Sequence, residues 1–271
     1  MQALAERLET AVGGAAFEGA APIQFSALKT FAPAPESLAG RPLAGVGRRG
    51  KFAILDFDGP RILFHLSQGG RVDVEDPPKT TRPKFGVVRF GFAGRPSVLV
   101  KEFGTERKAG WWVLGPGDDG PLAGLGPEPF SNEFEAWVMG ATDGRRIHTL
   151  LRQQSTVAGI GRGYTDDSLH RARLSPYATL ASLGRDDRRA LVDGVRAVLT
   201  EGLDAERRRS GGLPTKVGDH WIVHGRSGTP CPVCTTELRR VSYEAYEVTY
   251  CPGCQTGGKI LADRRLSRLV R

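Results

Sequence analysis

The segment TPCPVCTTELRRVSYEAYEVTYCPGCQ, residues 229–255, carries all four cysteines of the 271-residue chain. Cys231 and Cys234 form one C-x2-C pair, Cys251 and Cys254 form a second, and sixteen residues separate the pairs. Each such turn supplies two thiolates, and four thiolates complete the tetrahedron that zinc prefers. Disulfides or free thiols are the alternatives, but the regular spacing and the lack of a secretory pattern favour zinc. We therefore expect one structural Zn²⁺, with no ligand position left open for chemistry.

The region before the cysteines shows helical periodicity. Leu191 and Val195 belong to an apolar stripe that predicts a long helix over residues 186–208. An apolar cluster around Trp137 predicts a shorter helix, with Ser131 as its N-cap. This part of the chain is therefore expected to be an all-helical domain.

A glycine-rich turn precedes one of these helices. The stretch GIGRGY, residues 159–164, places glycines where backbone amides can approach a phosphate at a helix N-terminus. Tight helix–helix turns also use glycine, so the pattern alone leaves both interpretations open. Asp166 and Asp167 follow, and acids near the start of a helix are an alternative explanation for their presence.

The first 115 residues have a different texture. Leu4, Leu8 and Val12 recur every four residues and predict a short helix. Short β-rich runs follow, separated by glycine and proline clusters, a pattern typical of a β-sandwich or barrel. Residues 115–129 are rich in glycine and proline and are expected to form a linker.

The composition indicates the class of partner. The chain holds 38 basic and 30 acidic residues, a net charge of +8, and its pI is about 9.6. A positive surface attracts polyanions, so nucleic acid is the first partner to consider. Arginine dominates the basic residues, which suits phosphate contacts but also follows from a GC-rich genome. No stretch approaches the roughly 18–20 apolar residues of a membrane span, so a membrane protein is excluded.

Six segments, in order, resemble the bacterial formamidopyrimidine-DNA glycosylase and endonuclease VIII family. Together they cover nearly the whole chain, and the ordered set is more specific than any one segment. The segments, each with the family pattern it is similar to, are RRGKF at 48–52 (R-R-G-K-Y), HLSQGGR at 65–71 (H-L-x-M-S-G-R), LGPEP at 125–129 (L-G-x-E-P), GIGRGYTDDSL at 159–169 (G-I-G-N-x-Y-x-x-E-x-L), VHGR at 223–226 (V-Y-x-R) and CPGCQ at 251–255 (C-P-x-C-Q).

The resemblance implies an α+β protein of two domains that repairs DNA by base excision. Its expected parts are a β-sandwich glycosylase-like domain (1–115), a linker (116–130), a helix-two-turn-helix DNA-binding domain (131–225) and a four-cysteine zinc finger (226–271). Family members flip a damaged nucleotide out of duplex DNA, remove its base and cut the abasic strand. The resemblance further implies a monomer that holds duplex DNA between its domains, in the bacterial cytoplasm with the nucleoid.

The N-terminus departs from the family pattern at the catalytic position. An N-terminal proline of the family attacks the sugar as a secondary amine, and the following glutamate handles protons. The ungapped alignment puts Gln2 and Ala3 at these positions and favours Met1 as the true start, while Glu6 matches. Gln2, Glu6 and the phosphate-contacting Lys51 therefore form the expected catalytic set.

Three outcomes for catalysis follow from this departure. Water oriented by Gln2 or Glu6 can release the base with weak or absent strand cleavage, on oxidised or, more speculatively, alkylated bases. An unusual amine can still give lyase chemistry. Alternatively, the protein is a catalytically inactive relative that binds damaged DNA. A zinc-ribbon adaptor with only architectural resemblance is the remaining interpretation.

The resemblance also implies a set of DNA contacts. Gln68 stands where a methionine usually fills the gap left by the flipped base, and Ala109 stands where a phenylalanine usually wedges the opposite strand. For His65 and Tyr164, packing inside the fold is an alternative to a DNA role. The predicted DNA-binding residues are Arg49, His65, Gln68, Arg107, Gly159, Gly161, Arg162, Tyr164 and Asp167.

Overall fold

The computed structural model describes residues 1–209, 220–243 and 246–262, without the side chains of Tyr243 and Tyr246. Within them the chain forms two compact units. The first contains Met1–Gly124, and the second contains Leu125–Arg208 together with the described C-terminal residues.

The first unit is a β-sandwich with one helix. Its two antiparallel sheets have the strand orders β1-β6-β7-β5 and β2-β3-β4-β8, and they do not close into a barrel. Large apolar side chains fill the core, among them Phe17, Phe64, Phe90 and Trp111. The elements are α1 (Gln2–Val12), β1 (Phe17–Pro22), β2 (Gly45–Arg49), β3 (Phe52–Asp56), β4 (Arg61–His65), β5 (Gly70–Glu75), β6 (Gly86–Phe92), β7 (Ser97–Glu102) and β8 (Gly110–Leu114).

Helix α1 is held against β2 by an apolar face and one carboxylate. The predicted spacing is confirmed, because Leu4, Leu8 and Val12 are all buried. The exposed Glu9 fixes the helix further, since its Oε2 accepts the backbone N–H of Val46 at 2.6 Å. This packing sets the N-terminal turn of α1 beside strand β2.

The second unit combines the predicted helices with the cysteine-bearing hairpin. Ser131 caps α2 as expected, accepting the N–H of Phe134 at 3.2 Å, and Leu191 and Val195 of the predicted stripe are fully buried. The elements are α2 (Asn132–Gly140), α3 (Ile147–Arg152), α4 (Arg162–Arg171), α5 (Arg185–Arg208), β9 (Arg239–Tyr243), β10 (Tyr246–Tyr250) and α6 (Pro252–Thr256).

The unit boundary falls between Gly124 and Leu125, inside the segment predicted as a linker. That segment also contains a short 3-10 turn, Gly120–Leu122. The hairpin packs in the same unit as the helices, since α4 contacts both β10 and α6. Among the described residues, none of the helices has the length and apolar character needed to cross a membrane.

Candidate functional sites

A polar cluster lies at the N-terminal turn of α1. The Gln2 side-chain amide donates to Glu6 Oε1 at 3.1 Å, one helical turn away. Its carbonyl oxygen accepts from Arg48 Nε of strand β2 at 3.3 Å. All three residues are partly exposed. The structure therefore joins two members of the predicted catalytic set, Gln2 and Glu6, through direct contact and adds Arg48 to them.

The third member, Lys51, lies in the tight turn between β2 and β3. Gly50 makes this turn possible with a backbone φ of +59°, and Arg49 and Lys51 flank it, both partly buried. Next to the turn, His65 pairs across the sheet with Phe52, with ring centroids 5.0 Å apart. Burial and the charge of Lys51 lower the pKa of His65.

His65 also organises the loop that follows β4. Its Nδ1 accepts the backbone N–H of Ser67 at 3.1 Å, and Ser67 has a left-handed backbone with φ of +54°. The half-buried ring is therefore a structural acceptor, while Gln68, the next residue in the loop, is exposed.

One pocket of about 280 Å³ is lined by residues 67–69 of the loop after β4, by Arg71 at the start of β5, and by residues 102–107. The two predicted DNA contacts Gln68 and Arg107 both line it, although 38 positions separate them in sequence. Arg107 is exposed and has a backbone φ of +42°. The fold thus brings together two candidate residues that the sequence assigned only singly.

The same pocket reveals a residue that sequence reasoning missed. Phe103 lines the pocket with 51% of its surface exposed, and its ring lies 4.8 Å from Phe85. Ala109, at the predicted wedge position, is instead 1% exposed, and its N–H donates to Glu102 at 3.0 Å. The available signal was an aromatic residue directly before a glycine, Phe103-Gly104.

The glycine turn before α4 uses its amides partly within the protein. Gly159 has a φ of +90°, and its N–H donates to Gln154 Oε1 at 2.9 Å. Gly161 is the N-cap of α4, and Arg162 begins the helix with an exposed side chain. A Cβ at Gly163 would lie 2.6 Å from the Trp221 ring. Close packing therefore explains Gly163, and within this turn Arg162 is the predicted contact whose side chain is exposed to solvent.

Tyr164 packs inside the second unit. Its ring lies 4.8 Å from the Trp221 ring, edge to face, and a Cβ at Gly202 would collide with it at 2.5 Å. Burial, with the charges of Glu206 and Asp167, raises the pKa of Tyr164 to about 12. These contacts favour the packing interpretation of this residue.

Asp167 holds the backbone that leads into the cysteine hairpin. It is 1% exposed, and its two oxygens accept the N–H groups of Ile222 at 2.9 Å, Val223 at 2.9 Å and His224 at 3.0 Å. Because α4 already begins at Arg162, Asp167 lies beyond the first turn, so the helix-dipole alternative does not hold. Its burial assigns it to positioning, not to a direct nucleic-acid contact.

Asp166, also 1% exposed, joins four elements through a buried network that no sequence spacing indicated. His148 Nε2 lies 3.0 Å from one of its oxygens, and His224 Nδ1 lies 2.7 Å from the other. Thr249 N–H adds a third contact at 3.3 Å. Two imidazoles and one backbone N–H on this carboxylate thus connect α3, α4, β10 and the segment before the hairpin.

The four cysteines converge to a single site. Cys234 Sγ lies 3.4 Å from the sulfurs of Cys251 and Cys254, and the sulfurs of Cys231 and Cys254 are 3.9 Å apart. A tetrahedron with Zn–S bonds of about 2.3 Å has edges of about 3.8 Å, so the spacing fits zinc. The side chain of Tyr246, in the same hairpin, lies outside the described residues.

Binding of a cation requires the thiols of this site to lose their protons. Burial raises the pKa of Cys251, and burial together with neighbouring thiols raises that of Cys254. A hydrogen bond with Thr236 lowers the pKa of the exposed Cys234 to about 6. Buried thiols lose their protons when a cation replaces them, which couples metal binding to folding.

Comparison with known proteins agrees with this geometry. The family model of the formamidopyrimidine-DNA glycosylase N-terminal domain matches residues 1–111, and that of the formamidopyrimidine-DNA glycosylase H2TH domain matches residues 125–211. H2TH abbreviates helix-two-turn-helix, so the two models match the β-sandwich and the helical region in the expected order.

The chain has similar relatives over most of its length. It is 34% identical over 246 residues to the formamidopyrimidine-DNA glycosylase of Heliobacterium modesticaldum. This match covers 81% of this chain and 84% of the relative. It is 41% identical over 153 residues to an uncharacterized formamidopyrimidine-DNA glycosylase-like protein of Mycobacterium tuberculosis, 54% of this chain and 94% of that one. The crystal structure of the MutM (Fpg) protein from Thermus thermophilus superposes with a TM-score of 0.80 at 26% identity, covering 95% and 97% of the two chains. The chain therefore belongs to the formamidopyrimidine-DNA glycosylase family of zinc-finger DNA repair proteins.

Proposed function

We propose that this protein releases damaged bases from duplex DNA by hydrolysis and cuts the resulting abasic strand weakly or not at all. The substrates are oxidised bases or alkylated bases. The contact that carries this proposal is the hydrogen bond between Gln2 and Glu6 at 3.1 Å. It puts a carboxylate next to the position where the family has its nucleophilic proline.

The side chain of Gln2 favours hydrolysis over covalent catalysis. The amide nitrogen of this side chain is delocalised into its carbonyl and is not a nucleophile, and glutamine does not supply the secondary amine that an N-terminal proline offers. Arg48 and Glu6 hold the two ends of this amide. The amide is thus oriented to position a water molecule.

The reaction then needs one base and one good leaving group. Glu6 accepts a proton as the water oxygen forms its bond to C1′, and the C1′–N bond breaks with its electron pair leaving on the base. Bases that are already cationic, such as N-alkylated purines, need the least help to leave. The product is an intact abasic strand, because no Schiff base forms to drive elimination.

Three groups of residues support binding to duplex DNA. Arg49 and Lys51 flank the turn between β2 and β3, and Arg162 begins helix α4, where the helix dipole also favours a phosphate. Gln68 and Arg107 line the pocket of the first unit. Backbone contacts of this kind bind duplex DNA without regard to sequence, which suits a protein that searches for damage.

Phe103 is the aromatic residue that we assign to the damaged site. It is exposed beside Gln68 and Arg107, where the family's wedge residue would be needed after a base leaves the stack. A flat apolar ring can occupy the vacated space and stack on a neighbouring base. The zinc centre, in contrast, has four protein ligands and is proposed to hold structure alone.

The deciding experiment is base release from a panel of oxidised, alkylated and crosslinked duplexes, with and without hot alkali. Strand breaks that appear only after alkali support a glycosylase without lyase activity. Glu6→Gln is expected to reduce base release by about 10²-fold or more while leaving duplex affinity within a factor of about two. The matched control is Glu36→Gln, an exposed acid of the same unit.

Two results would contradict the proposal. Breaks without alkali from the wild-type protein would indicate an active amine and a covalent intermediate, which borohydride trapping would detect. No breaks under either condition, with a preference for lesion-bearing duplex, would indicate the damage-binding relative. If the breaks do depend on alkali, Gln2→Pro is the next variant, and gain of lyase activity is expected from it.

A further inference from the structure

We propose that His170 is a fifth donor of the metal centre, which binds the metal when one of the four cysteines leaves it. With four thiolates bound, its imidazole N–H donates to Cys231 Sγ. When Cys234 leaves the metal, His170 Nε2 takes the fourth ligand position. This inference is independent of whether the protein acts on DNA.

The imidazole of His170 lies directly beside the cysteine cluster. His170 Nε2 lies 3.3 Å from Cys231 Sγ. The donor atoms of His170, Cys231, Cys251 and Cys254 all lie within 4.8 Å of one another, whereas Cys234 is not a member of this group. Three cysteine sulfurs form one triangular face of the tetrahedron, and Cys234 is its apex. His170 therefore lies beside this face, and Cys234 is the cysteine outside the group.

The two ends of the site differ in their exposure to solvent. His170 is 4% exposed, and the face residues Cys231 and Cys251 are 1% and 0% exposed. Cys234 is exposed, at a turn whose next residue, Thr235, has a φ of +61°. A competing thiol or chelator from solvent thus reaches the apex first. His170, the proposed fifth donor, is buried.

Hydrogen bonds hold the helix that carries His170 in place. His170 lies in the last turn of α4, whose preceding residues Asp166 and Asp167 are fixed by buried hydrogen bonds. Gln255 of α6 adds a tether, since its side-chain amide donates to Leu174 O at 2.8 Å. The imidazole is therefore held at the face, and the exchange needs only a small shift of the metal.

The chemistry balances without any redox step. Histidine nitrogen is an ordinary zinc ligand at about 2.0–2.1 Å, and a Cys₃His set is a stable structural site. In a tetrahedron its distance to a thiolate sulfur is about 3.5 Å, close to the separation from Cys231. On exchange, the Cys234–metal bond breaks, the released thiolate takes a proton from water, and the Nε2 proton goes to water as the nitrogen binds.

Cobalt titration of single and double variants tests the proposal. Cys234→Ser is expected to bind one Co²⁺ with a tetrahedral visible spectrum shifted by replacement of one thiolate by imidazole. Cys234→Ser with His170→Phe is expected to bind it about 10-fold more weakly or worse, and without that shift. Cys234→Ser with His65→Phe, which removes a half-buried histidine of the first unit, is the matched control and is expected to match Cys234→Ser.

Identical affinity and spectrum for Cys234→Ser with and without His170→Phe would overturn the proposal. A second measurement avoids any folding defect of the phenylalanine variant. In ¹¹³Cd-loaded Cys234→Ser protein, a scalar coupling between cadmium and the His170 imidazole protons is expected. Absence of this coupling, with cadmium bound and slowly exchanging, would likewise overturn the proposal. In the wild-type protein, His170→Phe alone is expected to speed metal transfer to a chelator several-fold.

Discussion

The two units use polar residues in opposite ways. In the helical unit, Asp166 and Asp167 are buried and accept six hydrogen bonds or imidazole contacts between them. In the β-sandwich unit, Gln2, Glu6 and Lys51 are partly exposed, and the Gln2 amide is held by two hydrogen bonds of 3.1 and 3.3 Å. The buried groups of the helical unit hold other parts of the fold in place, whereas the groups of the β-sandwich unit lie where solvent reaches them.

This difference separates residues by the kind of defect that their loss should cause. Removing a buried acceptor leaves several donors without a partner, and the whole unit is destabilised. Removing an exposed group leaves the fold intact and changes only binding or chemistry. Variants in the two units should therefore separate stability from function.

The largest effect is expected from Asp167→Ala. It leaves three backbone N–H groups without their acceptor, one of them buried and two partly buried, so the free energy of unfolding should fall by about 3 kcal/mol. Urea denaturation followed by the fluorescence of Trp221, which contacts Tyr164 of α4, measures it. Asp187→Ala, an exposed acid on α5, is the control and should change stability by about 0.5 kcal/mol or less. A similar loss for both variants would show that the buried contacts contribute little.

Much of the fold was accessible from the sequence because it rests on periodicity and caps. The stripe of Leu191 and Val195, the Ser131 cap and the α1 spacing are local patterns, and the structure confirms each. The zinc motif is equally local, because two C-x2-C turns carry their own geometry. The features that could be predicted are therefore those that a few neighbouring residues determine by themselves.

The remaining features depend on contacts between distant positions. His148, Asp166 and His224 come together only when α3, α4 and the segment before the hairpin pack, and no spacing encodes that meeting. Phe103 reaches the pocket of Gln68 because two loops converge. No local pattern links His170 to the cysteines, because only the packing of α4 brings its Nε2 to 3.3 Å from Cys231 Sγ. Alignment to a family pattern fails at such positions, since it compares residues one at a time.

Phe103→Ala sharpens the contrast from the exposed side. Loss of one stacking ring is expected to weaken binding to abasic or lesion-bearing duplex about 10-fold, with a change in melting temperature of about 1–2 °C or less. Fluorescence anisotropy with labelled duplexes and a thermal melt measure the two quantities. Phe31→Ala is the matched control, because Phe31 is fully exposed in the same unit and lies outside the pocket. Equal weakening by both variants would assign the effect to general surface hydrophobicity.

A smaller effect is expected from Lys51→Ala, because a single phosphate contact is one of several. Affinity for undamaged duplex should fall a few-fold, and the slope of log K against log salt should decrease by about 0.9, the value for one phosphate. Lys79→Ala, which removes an exposed lysine of the first unit, should leave the slope unchanged. An unaltered slope for Lys51→Ala would mean that this ammonium does not touch phosphate.

The smallest effect tests the electrostatics of the same turn in the absence of DNA. Burial and the charge of Lys51 lower the pKa of His65 from 6.5, so the folded state binds this proton more weakly than the unfolded chain. The free energy of unfolding should therefore fall as the pH drops from 6.5 through the folded-state pKa, and level off below it. Lys51→Ala removes the second cause and should raise the pKa, measured by NMR titration of the imidazole protons. Duplex DNA should raise it in the wild-type protein in the same way, because a phosphate that pairs with Lys51 cancels the charge facing the ring. An unchanged pKa in Lys51→Ala would leave burial as the sole cause, and the turn would then lack the electrostatic link between phosphate binding and His65.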